Sequence, residues 1–125
     1  MSDLTFTLPF SKIKMTDILQ VGGKNASLGE MIQNLKPLGV EVPDGFAITV
    51  DAYRYFIEFN SLSDSIHEIV SNTNVDDVVD LRKNGMKVRQ IIREGKFPND
   101  MSEAILKAYK ELSLQYGTEL TDVAV

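Results

Sequence analysis

Two adjacent glycines followed by a lysine, Gly22-Gly23-Lys24, are the residues whose types and spacing best suit chemistry in this chain. Glycine lets a backbone come close to a ligand. A helix N-terminus offers uncommitted N–H groups and the positive end of a dipole to an anion, and an ammonium adds a full charge. Set just before an apolar-periodic run that starts near Asn25, these features fit a phosphate. The arrangement is not a Walker A loop, which needs a glycine five residues before its Gly-Lys pair and Ser or Thr after the lysine. Ile18 and Asn25 stand at those places. On pattern alone the plainer reading, a glycine turn into a helix with a solvated lysine, is the stronger one.

Other chemistry-bearing residues have structural explanations. His67, the single histidine, lies beside the stripe of Leu62, Ile66 and Ile69 rather than in it; a solvated helix face accounts for it better than general acid–base catalysis does. Asp76, Asp77 and Asp80 are acidic enough to suggest a metal, yet carboxylates in the first turns of a helix also favour its dipole. Tyr53, Tyr55, Phe56 and Phe59 are spaced for core packing more than for base stacking. Ser27 has no histidine nearby in sequence, which leaves a nucleophile without a base. No residue of the chain is assigned a catalytic role.

The elements that must position the glycine–lysine stretch follow from periodicity. Phe6-Thr7-Leu8-Pro9-Phe10 reads as an edge strand or an extended lead-in. A helix is predicted from Asn25, its N-cap, with Leu28, Met31, Ile32 and Leu35 on the inward face and a stop at Pro37 and Gly39. Pro43-Asp44-Gly45 is a turn signal, and Phe46–Val50 a short strand expected to be buried on both faces. Asp51 is expected to cap a helix with Ala52, Tyr53, Phe56 and Ile57 inward, ending at Asn60 and Ser61. A second helix carries Leu62, Ile66, Ile69 and Val70. A third runs from about Val75 to Glu94, capped by Asn74 and Gly95, with Val78, Leu81, Val88 and Ile92 inward. A last one starts near Asp100, where Asp100 and Glu103 have capping-box spacing, carries Met101, Ile105, Ala108, Leu112 and Tyr116, and closes at Gly117. Thr121–Val125 reads as the start of another strand, so the chain is expected to be cut there. The fold class expected is α+β, mainly helical, with short strands near Phe6, Phe46 and Val123.

Composition limits the partners. The 125 residues are 43% hydrophobic and 25% charged, with no cysteine. Such a chain can bury a core without disulfides or metal, and thiolate chemistry is excluded. A net charge of −5 with scattered basic residues argues against a nucleic-acid partner, because phosphate-tracking surfaces are basic. Met1-Ser2-Asp3-Leu4 offers no positive n-region ahead of an apolar segment, and no run is long enough to span a bilayer. A cytoplasmic protein without a membrane partner is expected. An apolar edge near Val125 would favour self-association, so a homo-oligomer is among the expected partners.

Val21-Gly22-Gly23-Lys24-Asn25-Ala26-Ser27-Leu28-Gly29-Glu30-Met31, followed by Gly39-Val40 and Val42-Pro43-Asp44-Gly45-Phe46-Ala47-Ile48-Thr49, closely resembles the N-terminus of the phosphoenolpyruvate synthase (pyruvate, water dikinase) family. The likeness continues through Asp76-Asp77-Val78, Ile105–Leu112 and Val123-Ala124-Val125. Asn25-Ala26-Ser27-Leu28 is more like the synthases than the pyruvate phosphate dikinases, which tend to Gly-Ala-Asn-Leu there. The resemblance implies that residues 1–125 are the first lobe of an ATP-grasp-like nucleotide-binding domain, truncated at its C-terminal end. In such enzymes that domain phosphorylates a histidine on a mobile central domain, and the phosphoryl group passes to pyruvate in a C-terminal barrel. By the same resemblance Lys24 is an ATP-phosphate contact, Gly22 and Gly23 let the backbone approach, and the Mg2+ ligands lie outside these residues. An Arg-Ser-Ser-Ala-Thr motif, whose arginine contacts the phosphates, would follow Val125. His67 does not match the phosphohistidine motif. Other readings are the same lobe in another ATP-dependent dikinase or antibiotic phosphotransferase, and a non-catalytic helical interaction module.

Overall fold

The computed structural model describes residues 4–125; Met1, Ser2 and Asp3, on which part of the signal-peptide argument rests, lie outside them. In chain order the elements are β1 (Thr7–Pro9), α1 (Ile18–Val21), α2 (Gly23–Leu35), β2 (Phe46–Ile48), α3 (Val50–Phe59), α4 (Ser63–Ser71), α5 (Val78–Glu94) and α6 (Asn99–Gln115). Short 3-10 turns occupy Phe10–Lys12, Met15–Asp17 and Lys36–Leu38. The architecture is α+β and mainly helical, as expected. By its contacts the chain divides into two compact units, one joining the residues up to Tyr53 with Asn99–Val125, the other Arg54–Pro98.

In the first unit β1 and β2 form a two-stranded antiparallel sheet, with Thr7 opposite Ile48, Leu8 opposite Ala47 and Pro9 opposite Phe46. Pro9 takes the edge position that a residue without an N–H requires. Only one face of this sheet is covered. Ala47 is buried, Phe46 half-buried and Ile48 exposed, so β2 is not the doubly buried strand its β-branched sequence suggests. Ile13, Val21, Ala26 and Ala47 make the core, with Leu8 and Phe10 packed against it.

The inward face of α2 differs from the expected stripe. Ala26, Gly29 and Ile32 are buried, whereas Met31 is exposed and Leu28 and Leu35 are half-buried. Small residues allow α2 to lie against the backbone near Ile13. A Cβ built on Gly29 would stand 2.5 Å from the Ile13 carbonyl oxygen and 2.8 Å from its Cβ. A hydrophobicity pattern weighs large side chains and misses a contact made by the absence of one. Gln33 adds to this clamp by donating its side-chain amide to the carbonyls of Phe10 and Ile13, and Glu30 accepts from the Met15 N–H at 3.2 Å. Past α2 the 3-10 turn ends on Gly39 in the left-handed region, close to the expected stop.

Thr49, not Asp51, caps α3. Its hydroxyl accepts from the Ala52 N–H at 3.1 Å and donates to the Thr5 carbonyl at 2.6 Å. Asp51 falls inside the first turn, where its charge still favours the dipole. At the other end of the unit, α6 buries Met101, Leu112 and Ser113; of the expected stripe Ile105 and Ala108 are half-buried. It begins at Asn99, one residue ahead of the expected cap, so Asp100 lies in its first turn. Tyr116 is half exposed, yet its hydroxyl accepts from the Asp44 N–H at 2.7 Å. The strand expected at residues 121–125 is not formed. Thr121 is tied to α6 by side chains instead: its N–H donates to Ser113 Oγ at 3.2 Å and its carbonyl accepts from the Tyr109 hydroxyl at 2.7 Å.

The second unit is a helical hairpin, α4 against α5. Asp77 caps α5 by accepting from the N–H groups of Val79 and Asp80, so the helix starts three residues later than expected and Val78 is exposed. Asn74 makes the preceding turn, accepting from the Asp76 N–H. Residues half-buried along α5 are Asp80, Asn84, Gly85, Val88, Ile91 and Ile92, while the expected Leu81 is exposed. Asn60 closes the unit by exchanging bonds with Lys96: its amide donates to the Lys96 carbonyl and its oxygen accepts the Lys96 N–H, both at 2.9 Å. Phe56 and Phe97 stack at 5.5 Å between ring centres, tilted by 56°.

Candidate functional site

The glycine–lysine stretch lies at a break between two helices. Gly22 ends α1 with its N–H bonded to the Ile18 carbonyl at 2.7 Å and is also the residue before α2. Its backbone, at φ 84° and ψ 163°, occupies a region essentially reserved for glycine. This kink starts α2 at Gly23, two residues before Asn25, so Lys24 lies within the first turn rather than ahead of it. The first bond of α2 runs from the Ala26 N–H to the Gly22 carbonyl at 3.0 Å.

Asn25 is therefore not the N-cap. Its side-chain amide turns back and donates to the Val21 carbonyl at 2.8 Å. No side chain caps α2, and the backbone N–H groups of Gly23, Lys24 and Asn25 have no acceptor among the described residues. A Cβ at either Gly22 or Gly23 would meet nothing within 4 Å. The surroundings of Gly23 thus give no internal packing reason for a glycine, whereas the dihedral angles of Gly22 do. Lys24 is exposed and makes no hydrogen bond or ion pair among the described residues. The geometry brings together uncommitted donors, the positive end of a thirteen-residue helix and an ammonium, the combination that holds a phosphate.

The remaining candidates resolve as structure. Asp77 and Asp80 spend their carboxylates on N–H groups at the start of α5, Asp80 accepting from Asn74 at 2.8 Å. No group of three or more His, Cys, Asp or Glu residues suited to a metal occurs among the described residues. His67 is exposed on α4, with Ser71 Oγ 3.4 Å from its Nε2. Ser27 is exposed one turn into α2. Tyr55 and Phe59 pack on each other at 6.4 Å. A surface depression lined by Val79, Arg82, Lys83, Met86, Arg89 and Arg93 belongs wholly to the outward side of α5. A solvated helix face explains its basic side chains.

Asp44 is a titratable group whose acidity the fold shifts. Partial burial pushes its carboxyl up. The side-chain amide of Gln115 at 2.6 Å, the Gly45 N–H at 2.8 Å and the Lys36 ammonium at 3.5 Å outweigh that and hold it below the usual carboxylate value. These partners pin the Pro43-Asp44-Gly45 turn between the ends of α2 and α6. Sequence reading marked the turn but not the hub, because Gln115 and Tyr116 are distant in the chain.

Residues 18–125 match the family described as the pyruvate phosphate dikinase, AMP/ATP-binding domain. The chain belongs to that family. It is 50% identical over 114 residues to the phosphoenolpyruvate synthase of Aquifex aeolicus, 91% of this chain and 13% of that protein. With the phosphoenolpyruvate synthase of Escherichia coli it shares 44% over 104 residues, 83% of this chain and 13% of the relative. With that of Helicobacter pylori the identity is 40% over 116 residues, 93% of this chain and 14% of the relative. The chain thus spans 13–14% of the length of these relatives. The region matched to the dikinase family includes the Gly22 kink and all of α2. No helix among the described residues is long and apolar enough to cross a membrane.

Proposed function

We propose that this chain is part of a phosphoenolpyruvate synthase and supplies one wall of its ATP site. The observation that carries the reading is the uncapped start of α2, where the N–H groups of Gly23, Lys24 and Asn25 and the Lys24 ammonium stand uncommitted in a chain of an AMP/ATP-binding family. Lys24 and these N–H groups bind the nucleotide phosphates, and Gly22 and Gly23 give the backbone the conformation and the open space for close approach. In phosphoryl transfer the protein acts mainly by positioning and by neutralising developing charge. A lysine and backbone donors perform both tasks without touching the acceptor.

In the whole enzyme the phosphoryl group passes through a phosphohistidine to pyruvate, so that ATP, pyruvate and water give AMP, phosphoenolpyruvate and phosphate. That histidine, the magnesium ligands and the choice of acceptor belong, in this reading, to other parts of the enzyme. This lobe is inactive alone. The enzyme works in the cytoplasm.

The test is the reaction of the full-length protein with ATP and pyruvate. Formation of AMP and phosphoenolpyruvate in equal amounts, with a base-stable and acid-labile phosphoprotein when pyruvate is left out, supports the reading. Phosphorylation of another acceptor under the same conditions, with pyruvate untouched, overturns the assignment to a synthase.

A further inference from the structure

The break between α1 and α2 raises a question of acceptors. In an unbroken helix the Val21 carbonyl would take the backbone N–H of Asn25, four residues on. Here the kink at Gly22 interrupts the ladder, and the Val21 carbonyl takes the side-chain amide of Asn25 instead, at 2.8 Å. Val21 is buried in the core, where a carbonyl without a donor is costly. One side chain thus performs the bond that its own backbone would otherwise make.

We propose that Asn25 is a positioning residue for the nucleotide phosphates, acting through the Val21 carbonyl. By satisfying that carbonyl with its side chain, it frees its backbone N–H to join those of Gly23 and Lys24 in facing an anion. This inference rests on the ATP-site reading above and adds to it the side chain of Asn25, which does not itself touch the phosphates. The type of side chain follows from the task. A donor is needed within reach of the carbonyl four residues back, and the donor must be neutral or cationic beside a phosphate. Aspartate has the shape of asparagine but offers only acceptors when ionised, and its charge would repel the ligand. Serine is smaller yet can donate to the same i−4 carbonyl from within a helix. Without a side-chain donor, the backbone N–H of residue 25 is the nearest group able to recapture the Val21 carbonyl, and one phosphate donor is lost.

The experiment measures the dissociation constant of the full-length protein for a non-hydrolysable imido analogue of ATP and for adenosine, in Asn25→Ala, Asn25→Ser, Asn25→Asp and Lys24→Ala. Loss of one donor to a charged group is expected to weaken the analogue by about tenfold in Asn25→Ala, and by more in Asn25→Asp. Asn25→Ser is expected to recover most of the loss, and adenosine to bind all the variants alike. KM for ATP is expected to rise in Asn25→Ala by a similar factor. A merely structural asparagine would lower binding of analogue and adenosine together, with no rescue by serine. Wild-type affinity in Asn25→Ala, or equal losses in the alanine and serine variants, overturns the inference. Lys24→Ala separates the two levels: if it binds the analogue as tightly as wild type, the ATP-site reading itself fails, whereas a loss there with none in Asn25→Ala removes only the role of Asn25.

Discussion

Replacing Gly29 by alanine sets two effects of opposite sign against each other. In the interior of an exposed helix the change would stabilise, because alanine exceeds glycine by about 1 kcal/mol in helix propensity. The structure predicts the reverse. The new methyl would lie 2.5 Å from the carbonyl oxygen of Ile13, 2.8 Å from its Cβ and 3.0 Å from its carbonyl carbon. These are backbone and fully buried core atoms, so no flexible side-chain end can swing aside. Forcing such a methyl into a packed contact costs about 3 kcal/mol, the upper part of the usual range for overpacking. After the gain in propensity, a net loss of about 2 kcal/mol remains. Urea unfolding of the 125-residue chain, followed by circular dichroism, would show it as a midpoint lowered by about 1 M for a slope near 2 kcal/mol/M. A midpoint equal to or above wild type would mean that α2 does not lie against the Ile13 backbone, and the account of how its N-terminus is held would fall with it.

Further predictions separate the roles of individual residues. Gly23→Ala should leave stability within about 0.5 kcal/mol, since a Cβ there meets nothing within 4 Å, while weakening ATP in the full-length protein; the same urea titration and a binding isotherm check both halves. Thr49→Val should lose about 1–2 kcal/mol by removing a cap and leaving the Ala52 N–H unpaired, whereas Asp51→Ala should lose less than about 0.5 kcal/mol; comparable losses would return the cap to Asp51. Asp44→Ala should lose about 1 kcal/mol at neutral pH, the charged bonds being discounted for the exposed Lys36. Because the pKa of Asp44 in the folded protein is held below the ordinary value, that contribution is present in full above about pH 4 and disappears as pH falls through the folded value. Stability measured from pH 7 to pH 2 should therefore show wild type and variant converging at the acid end.

Much of the fold was legible because long amphipathic stretches and strong turn chemistry agree with it. The Val88 and Ile92 stripe, the Met101 and Leu112 stripe and the turn at Pro43-Asp44-Gly45 all lie where periodicity and proline geometry put them. The misses have physical causes. Residue type points to Asn25, Asp51 and Asn74 as caps, but Gly22, Thr49 and Asp77 hold those places, since a cap depends on dihedral angles and not on composition alone. The inward face of α2 was misplaced because its closest contact is made by Gly29. Thr121–Val125 has strand-forming residues, yet Ser113 and Tyr109 take the backbone groups of Thr121. As for the site, Gly22-Gly23-Lys24 was visible as a pattern, and its meaning came from the resemblance. Invisible in the sequence was the direction of the Asn25 side chain, which decides whether the first turn of α2 is capped or open.

The central claim is that Lys24 and the open start of α2 hold ATP through its phosphates. Its most direct test is the dissociation constant of the full-length protein for ATP and for adenosine, compared between wild type and Lys24→Ala. Removal of a charged donor from a phosphate predicts a loss of about ten- to a hundredfold for ATP, with adenosine unchanged. An ATP affinity equal to that of wild type would contradict the account.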